Sequence, residues 1–120
     1  MTRASVVEER RGAIVCERCV VADRPLARLR GLLGRRELPP GEGLLLRPTG
    51  AVHTSFMRFP IDVVFLDREL TVIGVVDGLA PWRAAGRRGA RAVLELAAGE
   101  RASRAISPGD RLALVPAGSR

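Results

Sequence analysis

The sequence predicts an α+β domain that is mostly β. The expected architecture is a small curled or barrel-like sheet, mixed or antiparallel, of six to seven short strands, with one helix in the N-terminal half at about 24–33. Three observations lead there. From residue 44 onward apolar side chains recur with a period of two, in short runs separated by Gly, Pro and Asp, which is the pattern of strands and tight turns. Only one segment keeps the helical spacing of three and four: Leu26, Leu29 and Leu33. And 120 residues, 47% of them hydrophobic, suffice for the core of one domain and no more. With an aromatic content of only 3%, that core is built from Val, Leu, Ile and Ala.

Taken in order, residues 1–11 are polar and charged and read as a flexible, frayed N-terminus, leaving a single domain at 12–117. The run 13–22 holds Ile14, Val15, Val20 and Val21 and suits a strand or short hairpin. Asp23-Arg24-Pro25 supplies an N-cap acid and a first-turn proline, and Gly34 a C-terminal stop, which bracket the helix. Leu38-Pro39-Pro40-Gly41-Glu42-Gly43 is a loop. Strands follow at 44–47, 51–59, 61–67 and 70–77, the last two joined as a hairpin. Both faces of 61–66 are largely apolar, so that strand is expected to be central. Residues 80–89 read as an arginine-rich loop, 91–97 as a strand, 99–105 as a helical turn and 111–115 as a last strand. No repeat or linker divides the chain.

The formal net charge is +7, and every one of the 20 basic residues is Arg. Such a charge suits an acidic partner. An Arg-for-Lys bias beside abundant Ala and Gly equally reflects a GC-rich coding sequence, so charge alone does not favour nucleic acid. No stretch approaches the roughly 18 apolar residues that span a bilayer, and the charged N-terminus lacks the apolar centre of a signal peptide. The expectation is a cytoplasmic protein.

Five blocks carry a family resemblance. They are Arg30-Gly31-Leu32-Leu33, Gly43-Leu44-Leu45-Leu46, the stretch from His53-Thr54-Ser55-Phe56-Met57-Arg58-Phe59 through Pro60-Ile61-Asp62-Val63-Val64-Phe65-Leu66-Asp67, Val93-Leu94-Glu95-Leu96 with Gly99, and Gly109-Asp110. In this order they resemble the DUF192 (UPF0127) family of bacterial and archaeal proteins, over about 22–114. The commoner family version has Trp-Met-Lys-Asn-Thr where this chain has Phe56-Met57-Arg58-Phe59, as a subset of members does. The resemblance implies a compact β-rich fold and no particular activity. Many family members carry an export signal or a lipid anchor, which this sequence is read as lacking.

The residues able to carry chemistry are few. His53 is the only histidine. On a strand it shares a face with Ser55, Met57 and Phe59, and with Asp62 beyond Pro60 it could form a general base. The pair could equally satisfy buried polar groups around the Pro60 bend. Asp62 and Glu95 each interrupt an apolar strand. They either share a site, which raises one pKa, or pair with arginines and loop amides. Cys16 and Cys19, spaced C-x-x-C, are weak metal or dithiol candidates. Three apart on a regular strand they point to opposite faces, and one histidine leaves a zinc site short of four ligands. Two buried thiols are the simpler reading. The three Phe read as buried, and Trp82 is the one aromatic expected at the surface.

The leading expectation is a non-catalytic ligand- or partner-binding domain, without a cofactor. Its cleft would lie near His53, Asp62, Glu95 and Trp82, with Thr54 and Met57 as further contacts, for a small anion, a sugar or a protein segment. The alternative is a small hydrolase or isomerase using His53 and Asp62, with Glu95 a third catalytic candidate. A third reading, arginine-mediated nucleic-acid or anion binding, requires the arginines to gather on one face.

Overall fold

A computed structural model describes residues 2–23 and 35–116. The helix expected at about 24–33, and with it the Arg30-Gly31-Leu32-Leu33 block, lies outside the described residues. The elements are β1 (Thr2–Glu8), β2 (Ala13–Ala22), β3 (Glu42–Leu46), β4 (Ala51–His53), β5 (Ile61–Leu66), β6 (Val72–Leu79), β7 (Ala84–Gly86), β8 (Ala92–Ala97), a single-turn helix α1 (Glu100–Ser103) and β9 (Leu112–Pro116). Seven strands form one sheet in the order β6-β5-β8-β3-β2-β1-β9, and β4 pairs with β7 in a separate two-stranded ribbon. The large sheet is mixed, parallel only between β2 and β3. It curls until its two edge strands touch at one corner. There Thr71 bridges Arg111, the Val72 N–H donates to the Asp110 carbonyl at 2.8 Å, and the Leu112 N–H donates to that of Leu70 at 2.9 Å. It does not close into a barrel.

The period of two divides the apolar side chains between the sheet's faces. One cluster draws on all seven strands and fills the curl: Val6, Val15, Val21, Leu45, Val64, Val72, Leu94 and Leu112 among them, with Ile106 packed in from beyond α1. The other coats the opposite face of β3, β5 and β8 with Leu44, Leu46, Ile61, Val63, Phe65 and Val93. The ribbon lies over it through Val52, and Met57 follows from the next loop. Strand β5 is accordingly buried at every residue, between β6 and β8.

Three local expectations change. Residues 2–8 are not a frayed tail: Ala4 and Val6 alternate into the core, and β1 sits between β2 and β9. The strand expected over 51–59 ends at His53, because Phe56 takes a left-handed backbone (φ 66°) and the Met57 N–H turns back to the Thr54 carbonyl at 3.1 Å. Inside the loop expected over 80–89, residues 84–86 form β7, which pairs Ala51 with Gly86, Val52 with Ala85 and His53 with Ala84. These are small residues with little strand signal of their own, so pairing with β4 decides their conformation.

Candidate functional site

Asp62 and Glu95 lie on neighbouring strands, yet their side chains leave the sheet on opposite faces. In the β5–β8 ladder Asp62 is opposite Leu96, and Glu95 opposite Val63. Leu96 belongs to the cluster inside the curl and Val63 to the outer one. The two carboxylates therefore share no site.

Asp62 is buried and fully engaged. Its Oδ1 accepts the Gly78 N–H at 2.9 Å, and its Oδ2 accepts the N–H groups of Gly99 and Arg101, each at 2.9 Å. Gly78 and Gly99 both have positive φ (61° and 94°), the conformation that aims their amides at one acceptor and that other residues adopt only with strain. One carboxylate thus fastens β6 and the start of α1 to β5. Around it Arg101 pairs with Asp77 at 2.6 Å, and Arg104 with Glu17 at 2.8 Å. Each guanidinium, chiefly through its hydrogen bond, holds its carboxylate partner below the usual range. The reading that pairs carboxylates with loop amides describes Asp62.

Glu95 differs. It is 4% exposed and makes no hydrogen bond or ion pair among the described residues, and burial alone pushes its pKa up to about 7. Among the described residues neither an arginine nor an amide compensates it.

His53 stands outside the core, exposed on β4, and no hydrogen bond joins it to Asp62. Because β4 stops there, Met57 does not share its face. Met57 is buried in the outer cluster. Thr54, wholly buried, uses every polar group it has. Its hydroxyl donates to the Ala80 carbonyl at 2.6 Å and accepts the Arg83 N–H at 2.8 Å. Its N–H donates to the Arg83 carbonyl at 2.8 Å, and its carbonyl accepts the Trp82 N–H at 3.0 Å. These bonds knot the loop after β4 to the loop before β7.

The knot presents two aromatic rings to solvent. Phe56 is 71% exposed and Trp82 58%, with ring centroids 4.6 Å apart and planes tilted by 59°. Both residues have left-handed backbones, φ 66° and 64°, a conformation costing a non-glycine residue about 1 kcal/mol or more. The expectation that all three Phe are buried is overturned at Phe56. The sequence signal for this exposure is faint: His53, Thr54 and Phe56 lie in one run, but only the turn after Thr54 reverses which way the ring faces. Beside the pair, the outward face of the ribbon carries Ala51, His53, Ala84 and Gly86, while Val52 and Ala85 point into the domain. His53 and Trp82 of the expected cleft therefore belong to one open surface. Asp62 and Glu95 do not.

Both cysteines are buried, as the simpler reading expected, but they do not point to opposite faces. Ala4 is opposite Cys19 and Val6 opposite Cys16, so three steps of β2 match two of β1. This bulge turns both thiols to the same face, buried in the cluster inside the curl. The Cys16 thiol is pulled down by the hydrogen bond with Cys19, whose own thiol is pushed up by that contact and by burial. Among the described residues no three His, Cys, Asp or Glu side chains converge as a metal site, and no helix is long and apolar enough to cross a membrane.

The fold recurs in solved structures. A candidate transcription regulator from Sinorhizobium meliloti 1021 superposes with a TM-score of 0.81 at 25% identity, over 94% of this chain and 92% of that one. A protein of unknown function from Novosphingobium aromaticivorans DSM 12444 gives 0.78 at 24%, over 92% and 83%. A UPF0127 protein of Pyrococcus abyssi (strain GE5 / Orsay) is 33% identical over 99 residues, 77% of this chain and 81% of the relative. The DUF192 model, described as an uncharacterized ACR, matches residues 6–114. With nearly the whole described fold inside that match, the chain belongs to the DUF192 (UPF0127) family.

Proposed function

We propose that this chain is a non-catalytic binding module whose contact surface is the outer face of the β4–β7 ribbon, closed at one end by Phe56 and Trp82. One observation carries the reading. Two large apolar rings are kept in solvent on left-handed backbones, and five hydrogen bonds of Thr54 tie together the loops that carry them. Backbone strain concentrated at exposed aromatic side chains is a mark of function rather than of stability, and aromatic side chains are the commonest anchors of binding surfaces. The similar structure from Sinorhizobium meliloti is that of a candidate transcription regulator, which agrees with a binding role. The reading also gives His53 a place, on the floor of the surface rather than in a catalytic pair.

Trp82 is the only tryptophan, so its emission reports directly on this surface. The test is a fluorescence titration against anionic polymers, oligosaccharides and acidic peptides. A ligand engaging the ribbon shifts or quenches Trp82 emission, and Phe56→Ala weakens its binding while leaving the far-ultraviolet dichroism and melting temperature unchanged. A ligand that binds by calorimetry without any response from Trp82 sets the proposal aside.

A further inference from the structure

The structure assigns to this surface a chemical class of ligand: we infer that the ribbon binds single-stranded nucleic acid, with arginines on the phosphates and the Phe56–Trp82 pair against a base. The inference rests on the ribbon being the binding face.

Its basis is where the charge lies. Residues 47–60 and 80–91, which comprise the ribbon and its flanking loops, contain six arginines and not one Asp or Glu. The other 94 residues carry 14 arginines against 13 acidic side chains and are close to neutral. Nearly all of the net +7 therefore sits in one lobe. A GC-rich coding bias explains why the basic residues are Arg rather than Lys. It does not explain this partition along the chain.

Pairing neutralises part of the charge outside the lobe. Arg11, Arg18, Arg35, Arg101, Arg104 and Arg111 each meet a carboxylate within 4.0 Å. Arg58, Arg83, Arg87 and Arg88 are exposed and form no ion pair among the described residues, as is also true of Arg3, Arg10, Arg36 and Arg68 elsewhere on the surface, where acidic side chains are interspersed. Arg58 and Arg83 stand at the aromatic end of the ribbon. Arg87 and Arg88 stand at the other, where the Arg87 N–H donates to the Gly50 carbonyl at 3.0 Å and its guanidinium lies against Gly74. Four residues of extended chain separate Arg83 from Arg87, about 13 Å. Between them the floor is Ala51, His53, Ala84 and Gly86, low enough for a polymer backbone to lie along it.

Single-stranded nucleic acid uses all of these features. A guanidinium matches phosphate geometry and stacks on bases, and an exposed ring takes a base without regard to its identity. An acidic peptide would use the arginines but leave the ring faces idle. A membrane surface would favour arginines ringing the aromatic tip, whereas here they extend along the whole ribbon.

The test is binding of a labelled single-stranded oligothymidylate by anisotropy and Trp82 quenching. A duplex of equal length, polyglutamate and phosphatidylglycerol vesicles serve as comparisons. Four phosphate contacts predict a slope of log K against log salt of about −3, or about a 50-fold loss between 50 and 200 mM. Trp82→Ala and the Arg83→Ala/Arg88→Ala double variant are expected to lower affinity by about tenfold or more. Arg10→Ala/Arg68→Ala, which removes the same charge from elsewhere on the surface, is expected to leave it unchanged, and melting temperatures verify the fold of each variant. Equal losses in both double variants, or binding of duplex as tight as of single strand, overturn the inference. Quenching of Trp82 by polyglutamate or vesicles but not by the oligonucleotide overturns it while leaving the ribbon as the binding face. Silence of Trp82 toward every probe removes both.

Discussion

Replacing Glu95 by Gln isolates the effect of one buried carboxyl on stability. The side chain is 4% exposed, lacks a polar partner among the described residues, and has its pKa raised by burial to about 7 from the ordinary 4.5. A carboxyl whose folded pKa lies above its unfolded value binds more protons when folded. Its contribution to stability is therefore complete below about pH 4.5, falls as the pH rises through 7, and is flat beyond. The interval of about 2.5 units corresponds to roughly 3 kcal/mol. Gln keeps the shape and removes the titration. Urea unfolding of both proteins at about pH 5 and about pH 8.5 gives four free energies. The advantage of Glu95→Gln over the parent should grow by about 2.5 kcal/mol from the lower pH to the higher, since part of the change already lies below pH 5, a midpoint change on the order of 1 M. The subtraction cancels the arginine-paired carboxylates Asp77 and Glu17, whose lowered pKa values act in both proteins and at more acid pH. Parallel pH profiles for the two proteins would refute the reasoning and mean that Glu95 is solvated or paired in the folded state.

Other perturbations follow from the same geometry. Asp62→Asn replaces one acceptor oxygen by a donor facing the amides of Gly99 and Arg101, and should cost about 3 kcal/mol in urea unfolding, since hydrogen bonds to a charged group contribute roughly 1.5–3 kcal/mol each. Thr54→Val keeps the volume but strands the Arg83 N–H and the Ala80 carbonyl, so a loss of about 2 kcal/mol is expected, with lower Trp82 fluorescence anisotropy as the knot loosens. Gly43→Ala would bring a methyl to 2.9 Å from the Cys16 Sγ and 3.0 Å from the Glu95 carbonyl, and should lower stability by about 1–3 kcal/mol. Cys16→Ala should recover only part of that, because the carbonyl contact remains.

Much of the fold was legible because it rests on local alternation. The largely apolar β5, the hairpin into β6, and strands β8 and β9 all announce themselves by period and turn residues. What escaped depends on pairing between distant segments. Strand β1 is polar along most of its length and gains its place from two neighbours, and β7 is three small residues that only β4 makes extended. The candidate site fared by the same rule. Trp82 was legible as a surface aromatic because it sits among Gly, Pro and Arg. Phe56 was not, because its exposure follows from a single left-handed residue. Asp62 and Glu95 looked like companions in sequence because each breaks an apolar strand. Register, which is invisible in one strand alone, sends them to opposite faces.

Phe56 also allows the two explanations of the aromatic pair to be separated. Phe56→Gly relieves a strained backbone, worth about 1 kcal/mol, and adds freedom to the unfolded chain, which costs about 0.4–1 kcal/mol. It also removes a ring contact worth about 0.5–1.5 kcal/mol. With the ring 71% exposed, little burial is lost besides. These terms nearly cancel, so the melting temperature should move by only a few degrees. If the pair existed to hold the loops together, the variant would melt well below the parent and the Thr54 knot would open with it. If the pair exists to meet a ligand, stability stays and ribbon binding weakens about tenfold. Differential scanning calorimetry beside the oligonucleotide titration distinguishes these outcomes. A large drop in melting temperature would make the rings a structural lid and remove the strongest support for the binding surface.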